Sequence, residues 1–406
     1  MLSRLVRMTP PRTAIVIGGG PAGLIAAAHL ADAGIATTLL EASGGLGGRA
    51  ASEFQDGYAL NQGPHALYVG GAARRELKAL GIKPPWWNPT SHRSFFFRDG
   101  EPKRLPGGTA AFTRWVVGVA RTDPAEVRDL TVNEWLAKTL PNSAAARATA
   151  GALVRVTTFV ADHDTLSADV AVTQIKIGLN PGVRYIKGGW QVMVDALADA
   201  ARERGATLRT RAGVRAIEPG WTVTTDDETL AADVVIVATG GPGAMEKLLG
   251  DRTPAAPGPP AEVSSLDLGL RELPKKSRTF GLGIDAPTYI SKHSPGGGAS
   301  NGGTLMSAIG YTRQPRADLE AVADAHQPGW RAQATLERFL PRQQALTAIA
   351  TPATGGMAGR PAVDRGDGLF IAGDWIGPEG WLVDSALASG AAAARAAVAS
   401  RVTAVA

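Results

Sequence analysis

The sequence predicts an α/β fold in which a doubly wound parallel sheet is interleaved with an α+β domain. Three observations carry that reading. Residues 14–52 run strand, glycine turn, helix, strand and acid, the order of a dinucleotide-binding βαβ unit of Rossmann type. VVIVATG at 234–240 and LFIAG at 369–373 are short, fully apolar runs of the kind buried in parallel sheets. Long stretches between these runs mix helical and strand periods, which suits insertions between pieces of one nucleotide-binding domain.

The first unit gives each residue a physical task. Gly18 permits a tight turn, Gly20 lets a pyrophosphate approach the backbone, and Gly23 lets the helix pack closely on the sheet. Pro21 and Ala22 open the helix, whose unpaired N–H groups and positive dipole end face the phosphates. TTLLE at 37–41 reads as the second strand, ending in Glu41 eighteen residues after Gly23, where a carboxylate accepts both hydroxyls of a ribose. GGLGGR at 44–49 then adds glycines, among them Gly48, and Arg49. A nicotinamide site does not usually need that second loop; a flavin dinucleotide, which runs deeper into a protein, does.

Later segments are read in order. Asp99-Gly100 within SFFFRDGEPKRLP predicts a hairpin. TVNEWLAKTL predicts a helix with Thr131 as N-cap and Glu134 completing a capping box. A helix over 190–204 and strands over 212–240 follow. After the proline-rich TPAAPGPP, SSLDLGLREL and RTFGLGID read as strands, whereas ADLEAVADAHQPGW and RAQATLERFLP read as helices. Trp86-Trp87 reads as loop packing, with peripheral membrane contact left open. Residues 382–398 read as a helix directed at the cofactor by its N-terminus. The expected division is a cofactor domain from 1–90, 187–255 and 351–406, and a substrate domain from 91–186 and 256–350.

Composition narrows the function classes. Of the 406 residues, 44% are hydrophobic and 19% charged, which supports sizeable cores and argues against a disordered chain. A net charge of +5 without a basic run gives no footprint for nucleic acid. With no cysteine, disulfides, thiolate metal sites and cysteinyl attachment of a flavin are excluded. The six histidines are scattered without ligand spacing, so no metal site is expected. No signal peptide or membrane span is read, and the expectation is a cytoplasmic protein. Oligomeric state is not legible.

Glu41 with Gly47-Gly48-Arg49, DGYALNQGPH at 56–65 and GLFIAGDWIGPEGWLVDSALASG at 368–390 together resemble an FAD-dependent family. It contains the flavin amine oxidases, protoporphyrinogen oxidase, the phytoene desaturases and the Rab GDP-dissociation inhibitors. The resemblance implies non-covalent FAD held by these motifs. Asp374, following Gly373, would meet the ribityl chain, and the Val214 backbone would frame the adenine. Gly63, Pro64 and His65 would lie at the flavin, and Trp381 and Leu382 at the pocket wall. His65 is the candidate catalytic residue, with shaping of the pocket as the equal alternative.

Two substrate classes are implied. Amine oxidases of the family place an aromatic near the position of Leu382 and a lysine near the flavin, for which Lys275, Lys276 and Lys292 lie in the expected insertion. The GPH stretch and Leu382 resemble the phytoene dehydrogenase-like branch better. That branch implies chemistry on carbon–carbon bonds of a small apolar, unsaturated or isoprenoid-like substrate. A non-catalytic lipid carrier of the same fold is the third reading.

Overall fold

The computed structural model describes residues 12–63, 65–89, 94–104, 108–294 and 302–400. β1 (Thr13–Ile17), α1 (Pro21–Asp32) and β2 (Ala36–Leu40) form the opening unit, with β1 and β2 parallel from Thr13–Ala36 to Ile17–Leu40. α1 is built of Ala, Leu and Ile because it is covered on both sides. One side lies on the sheet and the other meets the last helix, and Leu24 through Ala28 are fully buried.

β3 (Ser52–Gln55) and β4 (Tyr58–Asn61) close on Asp56-Gly57, both in the left-handed region at φ 50° and 80°. β5 (Leu67–Tyr68), α2 (Ala72–Ala79) and β6 (Trp86–Trp87) lead to β7 (Ser94–Arg98) and β8 (Glu101–Lys103), whose turn is the expected Asp99-Gly100. Four helices follow: α3 (Thr109–Arg121), α4 (Val132–Thr139), α5 (Ala144–Thr158) and α6 (Ala168–Leu179). α4 carries the capping box. Thr131 Oγ1 accepts the Glu134 N–H at 3.2 Å, and the Glu134 carboxylate accepts the Thr131 N–H at 2.8 Å.

β9 (Val183–Ile186) and α7 (Gln191–Glu203) return the chain to β10 (Thr207–Arg209), β11 (Val214–Glu218), β12 (Thr222–Thr225), β13 (Thr229–Ala231) and β14 (Val234–Val237). α8 (Pro242–Leu249) precedes β15 (Ala261–Leu270), β16 (Phe280–Gly283), β17 (Thr288–Lys292), β18 (Thr304–Gly310), α9 (Arg316–His326) and β19 (Ala334–Leu346). β20 (Leu369–Ile371) and α10 (Val383–Ala399) complete the described chain.

The parallel sheet has the order β10-β2-β1-β14-β20, so its strands come from three separated parts of the sequence. A second sheet of seven strands, β19-β15-β18-β17-β16-β7-β8, joins the chain on either side of β9 through the parallel β16–β7 pair. One face of that sheet packs on α9 through Leu266, Met306, Leu319 and Ala323; the other carries Val263, Leu282 and Tyr289 toward α5. These two sheets and helices α3, α5 and α6 line the cavity described below.

Three expectations are corrected. Trp86-Trp87, expected as loop packing, is instead the strand β6, paired antiparallel with β9 at Trp86–Ile186 and Trp87–Tyr185. RAQATLERFLP was expected to be a helix, because Leu336, Phe339 and Leu340 recur at helical spacing. It is instead most of β19, paired antiparallel with β15 from Leu270–Ala334 to Ala261–Leu346. β19 is an edge strand interrupted by bulges, which is where Pro341 can sit without breaking a ladder. The last helix begins one residue late. Leu382 is its N-cap at φ 55° and ψ −129°, and the Asp384 N–H donates to Trp381 O at 3.1 Å across a tight turn. That conformation is one glycine normally occupies.

Candidate functional site

The glycine turn after β1 owes its shape to close backbone approach. A Cβ on Gly18 would stand 2.4 Å from Ala238 O, and one on Gly23 would stand 1.9 Å from Gly18 O. Gly20 differs: a Cβ there would meet nothing within 4 Å. Gly20 caps α1 with no side-chain hydrogen bond, so the helix end presents its N–H groups to the cavity that Gly20, Pro21 and Ala22 line. At the end of β2, Glu41 accepts the Gly19 N–H at 2.6 Å and the Ser43 N–H at 2.7 Å. A carboxylate has about four lone-pair positions, so acceptor capacity remains at Glu41 for two hydroxyls.

Arg49 and Asp374, 325 residues apart, meet in a bidentate pair at 2.7 and 3.1 Å. Thr347 joins them, its N–H donating to Asp374 at 3.0 Å and its Oγ1 lying 2.6 Å from the carboxylate. Burial alone would raise the Asp374 carboxyl, but Arg49 and Thr347 together hold it below the usual carboxylate range. Its acceptor positions are thus filled by protein donors. Thr347 Oγ1 has a second acceptor in Gly240 O at 2.7 Å, so rotation of that hydroxyl frees a position on Asp374. Ser389 fixes the adjoining Gly373, accepting its N–H at 3.0 Å.

One cavity of about 1700 Å³ connects these groups. Gly18, Gly20, Pro21, Ala22, Glu41, Gly48, Arg49, Gly63, His65, Val214, Gly373, Asp374 and Leu382 all line it. Pro64 lies outside the described residues. Gly23 serves the packing of α1 on the glycine turn and does not reach the cavity wall. Trp381 was expected at the wall, but it is buried among the α4–α6 helices and donates to Thr158 O at 2.8 Å. An indole buried with a satisfied N–H anchors the turn before α10. Trp375 is likewise wholly buried, in the core on the other face of the parallel sheet.

The His65 Nδ1–H donates to Gly63 O at 2.7 Å, and its ring lies 4.5 Å from that of Trp190. Burial lowers the imidazole below its ordinary value despite the carbonyls of Gly63 and Arg49, which favour its protonated form. The geometry makes His65 the tie for the left-handed turn at Gly63.

Beyond His65 and Leu382 the wall becomes carbon-rich, with Phe96, Phe112, Val116, Leu153, Val156 and Phe159 among its members. Phe159, which ends α5 in a left-handed conformation at φ 61°, was not singled out by sequence reasoning. Neither were Thr347, Trp190, Tyr185 and His293, all on the wall. The alternation in YISKH at 289–293 is a sequence signal that could have pointed to a row of polar side chains on one strand face.

Compared with known proteins, residues 21–269, more than half of the chain, match the family described as flavin containing amine oxidoreductase. The chain belongs to that family. It is similar to the carotenoid 3,4-desaturase of Haloarcula japonica, 27% identical over 290 residues that cover 58% of this chain and 57% of the relative. A phytoene desaturase of Neurospora crassa is 40% identical over 72 residues, 18% of this chain and 12% of that protein. The chain therefore matches little more than half the length of the first and a small part of the second. Among solved structures, an oxidoreductase from Methanosarcina mazei shares the fold at a TM-score of 0.76 and 17% identity, covering 94% of this chain and 99% of that one. Cyclohexylamine oxidase from Brevibacterium oxydans shares it at 0.73 and 18%, covering 96% and 99%.

The family's FAD fits the donor set. Gly20 leaves open space where a side chain would block a pyrophosphate, and Glu41 keeps acceptors for a ribose. Three polar atoms of wall residues are buried without a partner among the described residues: Thr239 Oγ1, Trp190 Nε1 and Gln343 Nε2. Two are N–H donors and the third a hydroxyl, which suits an acceptor-rich dinucleotide. The described residues thus fit the FAD of this family.

Proposed function

We propose that the protein carries out oxidoreduction or isomerisation at a carbon–carbon bond of an apolar, unsaturated or isoprenoid-like substrate. The observation that carries this reading is the make-up of the cavity wall away from the glycine turn, which is carbon-rich and bears no lysine among the described residues. Of the lysines considered for amine chemistry, Lys275 and Lys276 are exposed, and Lys292 lies over the Trp87 ring at 6.0 Å, off the wall. The charged residues on the wall are Glu41, Arg49, Lys247, Arg342 and Asp374. Apart from Arg342, which pairs with Glu262 at 2.6 Å, they sit with the nucleotide-binding segments. Sequence similarity to two desaturases supports the same substrate class.

In this reading Gly18, Gly20, Pro21, Ala22, Gly48 and Gly63 shape the FAD site. Glu41 holds the adenosine ribose, Val214 borders the adenine, and Arg49 and Asp374 hold the central part of the cofactor. When bound, the flavin supplies hydride or electron transfer. The chain's own residues then have simpler tasks. Phe159, Leu153 and Leu382 orient an apolar substrate and exclude water, and the N-terminus of α10 offers N–H groups and its dipole to developing negative charge. His65 holds the turn that carries Gly63.

Anaerobic mixing of the FAD-loaded protein with unsaturated isoprenoids and, separately, with amines tests the proposal. Bleaching of the visible flavin bands by an isoprenoid is expected. Bleaching by amines alone would contradict the choice of bond.

A further inference from the structure

β17 sends alternate side chains to opposite faces of its sheet. Ile290 packs with Leu266 and Met306 on the α9 side. Tyr289 and His293 line the cavity, with Ser291 buried between them at 1% exposure. Ser291 Oγ lies 2.6 Å from Nε2 of His293, and Tyr185 and Tyr289 line the same cavity. From β9, the Tyr185 ring stacks on that of His293, with 4.6 Å between centroids and 20° between planes.

This network is set in carbon. Phe96, Leu153, Val156, Phe280 and Leu282 share its part of the wall, and Tyr68 spends its hydroxyl on Thr157 O at 2.9 Å. A serine hydroxyl has one proton to give. In either sense of the Ser291–His293 hydrogen bond the pair keeps one donor: Nδ1–H of the imidazole when the serine gives its proton to Nε2, the serine O–H when Nε2 gives its own. The hydroxyl of Tyr185 can both donate and accept. Burial keeps the imidazole uncharged, pushed down to about 3. A neutral donor set among carbon side chains matches an oxygen that is itself neutral and gives a carboxylate no compensating charge.

We propose that the Tyr185–Ser291–His293 network recognises a single neutral oxygen, hydroxyl or carbonyl, on an otherwise apolar substrate. The inference rests on the apolar-substrate reading above and adds where that substrate's one polar group is read. A wholly hydrocarbon substrate would place carbon against these buried polar groups and forfeit a hydrogen bond.

The FAD-loaded protein is titrated with farnesol and with the hydrocarbon farnesene, followed by tryptophan fluorescence. The wild type is expected to bind farnesol about five- to tenfold more tightly, the effect of one neutral hydrogen bond. His293→Phe is expected to abolish that preference while leaving farnesene affinity within about twofold, since an aromatic ring of similar size remains. Tyr185→Phe, which removes one hydroxyl and keeps the stack, narrows the preference and decides the matter if His293→Phe fails to fold. Structural damage would weaken both ligands together, whereas loss of recognition moves their ratio. Equal binding of the two probes by the wild type, or a preference that survives in the folded variants, overturns this inference alone. Failure of the wild type to bind either probe overturns the apolar-substrate reading, and this inference with it.

Discussion

At the scale of single residues, the three glycines of the opening turn separate fold from function. Gly18 and Gly23 are required by the backbone, at φ 111° and at a 1.9 Å approach to Gly18 O respectively. Gly20 has ordinary dihedrals of −75° and 176°, with open space where a side chain would stand. Gly20→Val is therefore expected to keep the melting temperature of the cofactor-free protein within a degree or two while retaining less than about a tenth of the wild-type FAD on purification. Gly23→Val is expected to fail at the level of soluble expression, because overpacking against a backbone carbonyl has no side chain to yield. Glu41→Ala and Asp374→Ala each remove charge-assisted hydrogen bonds worth about 1.5–3 kcal/mol, so FAD affinity should fall roughly tenfold or more in both. Unchanged flavin content in the two variants, measured by absorbance, would contradict the cofactor site. These residues were legible because a repeated spacing encodes them. Thr347, Trp190 and His293 were not, since a lone threonine or histidine acquires its role only when folding brings distant strands to one wall.

Between elements, two buried carboxyl groups link pieces that the sequence keeps apart. Asp384, in the first turn of α10, accepts the Ala73 N–H at 2.7 Å and so caps α2 from another helix. Burial raises its carboxyl to about 7, above the value near 4 expected in the unfolded chain. A raised carboxyl favours folding in its protonated form, so this contribution is complete below about pH 4 and is lost as pH rises through 7. Asp384→Asn keeps an acceptor for Ala73 and cannot ionise. Urea denaturation should find the variant and the wild type equal near pH 4, with the variant more stable by about 2–4 kcal/mol at pH 8. In the seven-stranded sheet, Arg338 of β19 pairs with the buried Asp267 of β15 at 2.6 Å and also donates to Asn61 O at the end of the β3–β4 hairpin. Arg338→Met should cost about 3–5 kcal/mol by stranding that carboxylate, and adding Asp267→Leu should recover most of it. β19 also marks where local reading failed. Its Leu336, Phe339 and Leu340 have a helical spacing, and only the long antiparallel partner β15, distant in sequence, decides for a strand. The capping box of α4 and the Asp99-Gly100 turn, by contrast, are set by neighbours within four residues and were legible.

For the whole molecule, the parallel sheet and the seven-stranded sheet are joined by one cavity of about 1700 Å³, larger than the ~300–1,000 Å³ of an ordinary small-molecule site. Its volume and continuity give room for a dinucleotide and a second molecule in contact with it. The nucleotide-binding half was legible because phosphate and ribose recognition recur as local motifs. The apolar half was not, because its wall is assembled from β9, β16, β17, α3 and α5, none of which carries the chamber alone. No helix among the described residues is long and apolar enough to cross a membrane. The central claim is that the flavin site and the apolar chamber are one space. Titration of the FAD-loaded protein with an isoprenoid hydrocarbon, read as a visible difference spectrum, tests it most directly. A saturable shift of the flavin bands in the wild type, with its affinity reduced when Leu153→Trp fills the chamber, is the predicted result. Flavin bands that stay unmoved while the hydrocarbon binds would place the ligand elsewhere and contradict the account.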